Sequence, residues 1–299
     1  MIRYSKLAYV ALNVTDLARS CKFYQDIVGL EPNGTAPDGG VFFRLDQSHH
    51  SVMLYQAPQA GFKRFGWLLE NEAQFDVLTA SLARHAIVPS EVDAAECAAL
   101  GQGRSLRFVE PYGGGTWEFF ARMDDAPAPF HPTVTPFNRL GHVVLKTDKL
   151  DAAIRFYEEV LNFRLSDKVE GQIAFLRAHP NKYHHTFAIA RGSRPGLHHV
   201  NFIVSSIDDW GRCTARLPRQ QIEVVWGPGR HTNAGTFFLY FLDPDGLTLE
   251  YGYGMEEFPE TGARPPNIRP PGVDSVDLWD SRMDPRTCAS GEVERVTPT

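Results

Sequence analysis

The sequence predicts an α+β fold made of two tandem domains built alike. Three observations predict it: an internal repeat, short alternating strands interleaved with helical patterns, and a proline-rich break between the copies. Residues 7–30, LAYVALNVTDLARSCKFYQDIVGL, and residues 140–163, LGHVVLKTDKLDAAIRFYEEVLNF, agree in order and residue type. An offset of 133 matches Phe23 and Tyr24 with Phe156 and Tyr157.

Each copy opens with an alternating strand, a Thr-Asp turn and a helix ending in the Phe-Tyr pair and acidic residues. Two more strands follow, VFFRLDQSHHSVMLYQ (41–56) and IAFLRAHPNKYHHTFAIARG (173–192), each with a histidine pair at the turn or at the start of its second strand. Next come GWLLENEAQFDVLTASLARHAI (66–87) and NFIVSSIDDWGRCTARLPRQQI (201–222), each reading as strand, loop and helix. Each copy closes on a hairpin, turned by Glu-Pro-Tyr-Gly in 106–120 and by Asp-Pro-Asp-Gly in 239–252. The expected domains are 1–122 and 137–255, joined by a linker at 123–136. Residues 256–299 form a Pro-rich, poorly periodic extension, expected to wrap a domain surface or a neighbouring subunit, with its last dozen residues disordered.

Composition narrows the function. A net charge of -6 and a pI near 6.0 offer no basic stripe for nucleic acid. There is no apolar run long enough for a membrane span, and the start of the chain does not read as a secretory leader. Cys21, Cys97, Cys213 and Cys288 are scattered, without the spacing of a disulfide framework or a structural zinc site. A cytoplasmic enzyme or binding protein is expected.

The copies differ where chemistry is expected. His142 stands where the first copy has Tyr9, and His199 aligns with Phe65, whereas Glu250 is matched by Glu118. Glu250 lies inside LTLEYG, an otherwise apolar strand, where a lone carboxylate is costly unless paired or bound to a metal. Two imidazoles and one carboxylate on one face form the facial triad of non-haem Fe(II) sites, and the same set also serves catalytic zinc. Neighbours on a strand point to opposite faces, so only one of His198 and His199 is expected to serve a given site. The same holds for His184 and His185. His231 follows a Gly-Pro-Gly that predicts a shaped loop, with Thr232 and Asn233 as further donors, and Tyr240 sits on the aromatic strand beyond. Histidine and tyrosine beside a metal-bound substrate can move protons and hold its oxygens.

These motifs resemble the two-domain extradiol ring-cleavage dioxygenases of the vicinal-oxygen-chelate superfamily over residues 3–256. The most specific stretch is HTNAGTFFLYFLDPDGLTLE, 231–250. RLGHVVLKTDKLDAAIRFYEEVLNF and GLHHVNFIVSSIDD match the regions that carry the family's other two ligands. The resemblance implies four βαβββ modules, two per domain, with barrel-like sheets and the active site in the C-terminal domain. It implies metal ligands His142, His199 and Glu250, the second histidine of the 198–199 pair being the ligand, for Fe(II) or occasionally Mn(II), with no organic cofactor. It further implies a catalytic role for His185, and hydrogen bonds from His231 and Tyr240 to a bound catecholate. The implied reaction is extradiol (meta) cleavage of a catechol-type diol by O2 to a 2-hydroxymuconate semialdehyde-type product, in a homo-oligomer.

The chain departs from the pattern at Ala234, where many relatives acting on bicyclic diols carry an acidic residue. GPGRH resembles versions that take carboxylated single-ring catechols, so Arg230 is a candidate partner for a substrate carboxylate. Two rivals remain: another metalloenzyme of the superfamily, such as a glyoxalase-like lyase, and a binding protein for aromatic compounds. Glyoxalases commonly draw ligands from paired modules, which the missing imidazoles of the first copy disfavour.

Overall fold

The computed structural model describes residues 1–295. Its second half runs as strand Phe137–Thr147, helix Leu150–Glu159 and strands Phe163–Val169, Ile173–Ala178 and Phe187–Arg191. It then repeats the pattern with strand Gly196–Val204, helix Ile207–Arg219 and strands Val224–Arg230, Phe237–Leu242 and Thr248–Tyr253. The first half follows the same order from Tyr4–Val14 to Thr116–Phe120, with an added short helix, Ala94–Ala99. The fold is thus α+β, with two pseudo-symmetric sheets.

Local sequence accounts for these elements. Helix Ile207–Arg219 starts at Ser206, whose hydroxyl accepts from the Asp209 amide, and it buries Trp210, Cys213 and Leu217 on one side. Helix Leu150–Glu159 buries Leu150, Ala153, Ile154 and Tyr157 at the same three-to-four spacing.

At the centre of each sheet is an antiparallel pair of first and second module strands: Tyr4–Val14 with Gly61–Leu69, and Phe137–Thr147 with Gly196–Val204. Parallel neighbours flank the second pair: Phe187–Arg191 beside Phe137–Thr147, and Thr248–Tyr253 beside Gly196–Val204. Central strands of this kind are held from both sides, which makes them rigid supports for functional side chains.

The halves share one apolar core, in which Trp117 stacks on Tyr157 at 5.4 Å and meets Phe187 edge-on at 5.1 Å. They also clasp each other at the two closing turns. Tyr24 of the first half donates to Asp243 at 3.2 Å. Tyr157, its counterpart, brings its hydroxyl beside Glu110 without completing a hydrogen bond.

Two expectations change. Gly227-Pro228-Gly229 lies inside the strand Val224–Arg230 rather than in a loop, and its pairing with Phe237–Leu242 shifts register there. Proline and glycine are tolerated because this is an edge strand with a bulge. The C-terminal extension is more ordered than its composition implies. Asn267–Arg269 pairs with Phe163–Val169 of the second sheet, and Glu292–Val293 pairs with Gly61–Leu69 of the first. The extension therefore wraps its own two halves. The disorder expected of the last dozen residues does not hold for 288–295, and 296–299 lie outside the described residues. No helix of the described residues is long and apolar enough to cross a membrane.

Candidate active site and metal centre

Three central strands of the second sheet bring His142, His199 and Glu250 together. Asn201 pairs with His142 on one side and with Glu250 on the other, so the register itself sets the acid beside the histidines. All three are buried, Glu250 completely. The two Nε2 atoms are 3.0 Å apart, and Glu250 Oε2 lies 3.2 Å from that of His142 and 3.1 Å from that of His199.

This arrangement is unsatisfied as it stands. Neither Glu250 oxygen completes a hydrogen bond of sound geometry, although both are shut off from solvent. Burial opposes the charge on Glu250, and only N–H donation from the His142, His199 and His231 rings, or a cation among them, offsets it. Burial also pushes His142 down to about 4, so its ring is neutral and offers a lone pair. Two lone-pair nitrogens and an anionic oxygen facing one point are the donor set of a divalent cation. An ion about 2.1 Å from three mutually perpendicular donors sets them about 3 Å apart, as observed. The residues fit the metal.

The outer nitrogens complete the picture. His198 Nδ1 lies 2.7 Å from His199 Nδ1. A His199 ring that offers Nε2 to a metal carries its proton on Nδ1, and His198 accepts it, the usual way of orienting a ligand ring. This contact contradicts the strict alternation expected of the strand. The pairing skips from Leu197↔Leu145 to His199↔Val144, so His198 is the extra residue of a β-bulge. The bulge turns both histidines to one side, and both line the same cavity.

That cavity has a volume of about 480 Å³ and opens directly onto the histidines. Its walls are mostly apolar, with Ile173, Phe175, Trp226, Val276 and Met283 among them. The ring of His185 lies 4.2 Å from that of His142. Burial lowers the His185 pKa well below the ordinary value, so this ring too is neutral. Tyr240 pairs with Glu250 across the strands and stacks on Trp226 at 5.0 Å. Burial raises its hydroxyl well above the usual tyrosine range, so Tyr240 stays a proton donor. It meets His231 Nε2 at 3.1 Å, while His231 Nδ1 donates to the Val276 carbonyl at 2.8 Å. With its proton fixed on Nδ1, His231 accepts the Tyr240 hydroxyl proton at Nε2.

His142, His199, His185, His231, Asn233 and Tyr240 thus line one cavity, with Glu250 against its floor. Asn233 donates to the Ser275 carbonyl at 2.8 Å. Arg230 lies elsewhere: it is exposed, its guanidinium packs on Phe237 at 5.2 Å and its Nε donates to Gly235, outside the cavity lining. Three features were missed from sequence. One is His198 as the partner of His199. Another is the cavity wall formed by Val276, Met283, Thr287 and Cys288 of the extension. The third concerns the first half. Val144, the counterpart of Ala11, pairs with His199, whereas Ala11 pairs with Arg64. Arg64, not Phe65, therefore takes the place of His199. Its guanidinium donates to Tyr9 at 2.9 Å and lies 3.7 Å from the buried Glu118 carboxylate, to which Arg107 Nε also donates, so two arginines supply positive charge where this half has no imidazoles.

The Glyoxalase/Bleomycin resistance protein/Dioxygenase superfamily model matches residues 6–119 and 139–251. A biphenyl-2,3-diol 1,2-dioxygenase of Sphingomonas paucimobilis is 26% identical over 277 residues, 87% of this chain and 91% of that one. The crystal structure of BphC, a halotolerant catechol dioxygenase, superposes with a TM-score of 0.84 at 27% identity, covering 95% of each chain. The Mn(II)-bound glyoxalase from Novosphingobium aromaticivorans does so with a TM-score of 0.85 at 27% identity, covering 98% of this chain and 96% of that one. The chain belongs to the Glyoxalase/Bleomycin resistance protein/Dioxygenase superfamily, as a two-domain extradiol ring-cleavage dioxygenase.

Proposed function

We propose that the protein cleaves a catechol-type aromatic diol with O2 outside its two hydroxyls, giving a 2-hydroxymuconate semialdehyde-type product. The observation that carries this reading is the unsatisfied His142, His199 and Glu250 set at the floor of an apolar cavity. These residues would hold Fe(II), or Mn(II). Held there, such an ion would supply Lewis-acid and redox chemistry toward a diol and O2.

The chain's own groups do the rest. The apolar walls bury the aromatic ring and exclude water from it. His231 and Tyr240, held by Val276 and Glu250, hydrogen-bond each other, and a diol oxygen entering between them would take over that bond, accepting from Tyr240 and donating to His231 Nε2. His185 stands over His142 on the face toward Phe175, within reach of a proton leaving the bound diol. Side chains from Ile173–Ala178 and from Val224–Arg230, far apart in the sheet order, line the same cavity, which supports a sheet curled into a barrel-like shape around it. We take 1–122 as a metal-free domain, 137–255 as the catalytic domain and the protein as a homo-oligomer.

The likeness to the Mn(II)-bound glyoxalase favours a second reading, a lyase that needs no O2. Oxygen uptake by iron-loaded protein over single-ring, bicyclic and carboxylated catechols separates the two. The dioxygenase reading expects O2 consumption with a yellow product, and the lyase reading expects neither.

A further inference from the structure

Behind His185 lies a second buried histidine that the reaction has not used. His184 is wholly buried, and its Nδ1 is 3.0 Å from His185 Nδ1. Its Nε2 is 3.1 Å from Asp167 Oδ2, on the wholly buried Asp167 carboxylate. Asp167 is fixed in turn by the extension: Arg264 Nη1 and the Asn267 amide each donate to Oδ1 at 2.8 Å, and Arg264 Nη2 to Oδ2 at 3.2 Å. Phe258 of the extension stacks on His184 at 5.7 Å.

From this chain we infer that His184 and Asp167 are positioning residues that set the tautomer of His185, leaving its Nε2 as a bare proton acceptor facing the cavity. The inference rests on the ring-cleavage reading above. An ionised Asp167 can only accept, so His184 carries its proton on Nε2. In a His184 ring carrying that one proton Nδ1 is a lone pair, and the contact with His185 Nδ1 then has the proton on His185. His185 Nε2, which makes no hydrogen bond among the described residues, is left unprotonated. It takes a hydroxyl proton from the diol: the O–H bond breaks, an Nε2–H bond forms and the electron pair stays on the diol oxygen. The imidazolium that results is stabilised by the Asp167 charge relayed through the His184 ring.

Two observations support the assignment. Although burial opposes it, hydrogen bonds from His184, Arg264 and the Asn267 amide hold the Asp167 carboxyl down at about 2, so it is ionised. The first half supplies an internal control. There His49 and His50 meet through their Nδ1 atoms at the same 3.0 Å. Yet Thr35↔Val41 corresponds to Lys168↔Ala174 in the second half, which puts Gly34 where Asp167 stands. The carboxylate occurs in the half that has the donor triad.

Asp167→Asn tests the chain. The two short 2.8 Å donors, Arg264 Nη1 and the Asn267 amide, keep the Asn oxygen on the Oδ1 side against the longer 3.2 Å Arg264 Nη2 contact on the other, so the Asn nitrogen faces His184 Nε2 and reverses both tautomers. Long-range nitrogen–proton NMR on histidine-labelled, metal-free full-length protein reads the result. Wild type is expected to show Nδ1–H at His185 and Nε2–H at His184, and Asp167→Asn the opposite. The variant should keep iron content and anaerobic diol affinity while kcat falls about 100-fold, and Asp167→Glu should restore much of it. Nε2–H at His185 in wild type, or an unchanged tautomer and kcat in Asp167→Asn, overturns the inference. If Asp167→Asn does not fold, the wild-type tautomers still decide. Wild-type protein that takes up no O2 refutes the ring-cleavage reading instead, and leaves the tautomer result standing by itself.

Discussion

At the scale of single residues, the site divides labour between atoms of the same ring. His199 turns Nε2 to His142 and Glu250, where a metal would sit, and Nδ1 to His198. His199→Ala should therefore lose iron and activity together, measured by metal content after gel filtration and by oxygen uptake. His198→Ala removes only the orienting acceptor, and should weaken iron binding about tenfold to a hundredfold while activity survives in excess iron. Equal loss of iron from both variants would contradict this division. His185→Ala leaves the triad and the cavity walls intact. It should bind catechol anaerobically as before and turn over about 100-fold more slowly or worse. Arg230, packed on Phe237 outside the cavity, should be replaceable by Ala with little change in KM for any catechol.

At the scale of elements, one bulge and one strap make the site. The bulge at His198 lets consecutive histidines face one cavity. The strap, residues 273–288, supplies Val276, Met283, Thr287 and Cys288 to the wall and the carbonyl that holds His231. A chain ending after residue 271 keeps the pairing of Asn267–Arg269 and the whole triad. It should retain iron but show KM for the diol raised at least about tenfold, in steady-state kinetics, because the cavity opens and His231 loses its acceptor. The elements of both halves were legible in the sequence because periodicity and turn residues are local signals, and they recur at a fixed offset. Glu250 was legible because a charge amid LTLEY has no cheap explanation. His198 was not, since a bulge changes the period by one residue without any distinctive residue type. Arg64 was missed for a related reason: the offset slips beyond 133 in the middle of the repeat, and only the strand register shows it. The strap was illegible because it folds on contacts with two sheets rather than on a pattern of its own.

At the scale of the molecule, two copies of one scaffold share a core and divide their chemistry. The clasps between them make a pH prediction. Burial raises both Glu110 and Asp243 to about 7 in the folded protein. A carboxyl raised on folding contributes stability that is complete below its unfolded value, near 4, and is lost as pH rises through about 7. These two groups should make thermal stability fall between pH 5 and pH 8, and Glu110→Gln with Asp243→Asn should flatten that slope in calorimetric scans. A slope unchanged by the double substitution would show that the clasps do not set the pH dependence. In the first half Arg64 and Arg107 supply the charge beside Glu118, and in the second a metal would supply it beside Glu250. The most direct test of that division is iron titration of the metal-free protein under argon, followed by oxygen uptake with a catechol panel. One iron per chain is expected, lost in Glu250→Ala, with O2 consumed in step with a yellow ring-cleavage product. Two irons per chain, or iron-loaded protein that binds catechols and consumes no O2, would contradict it.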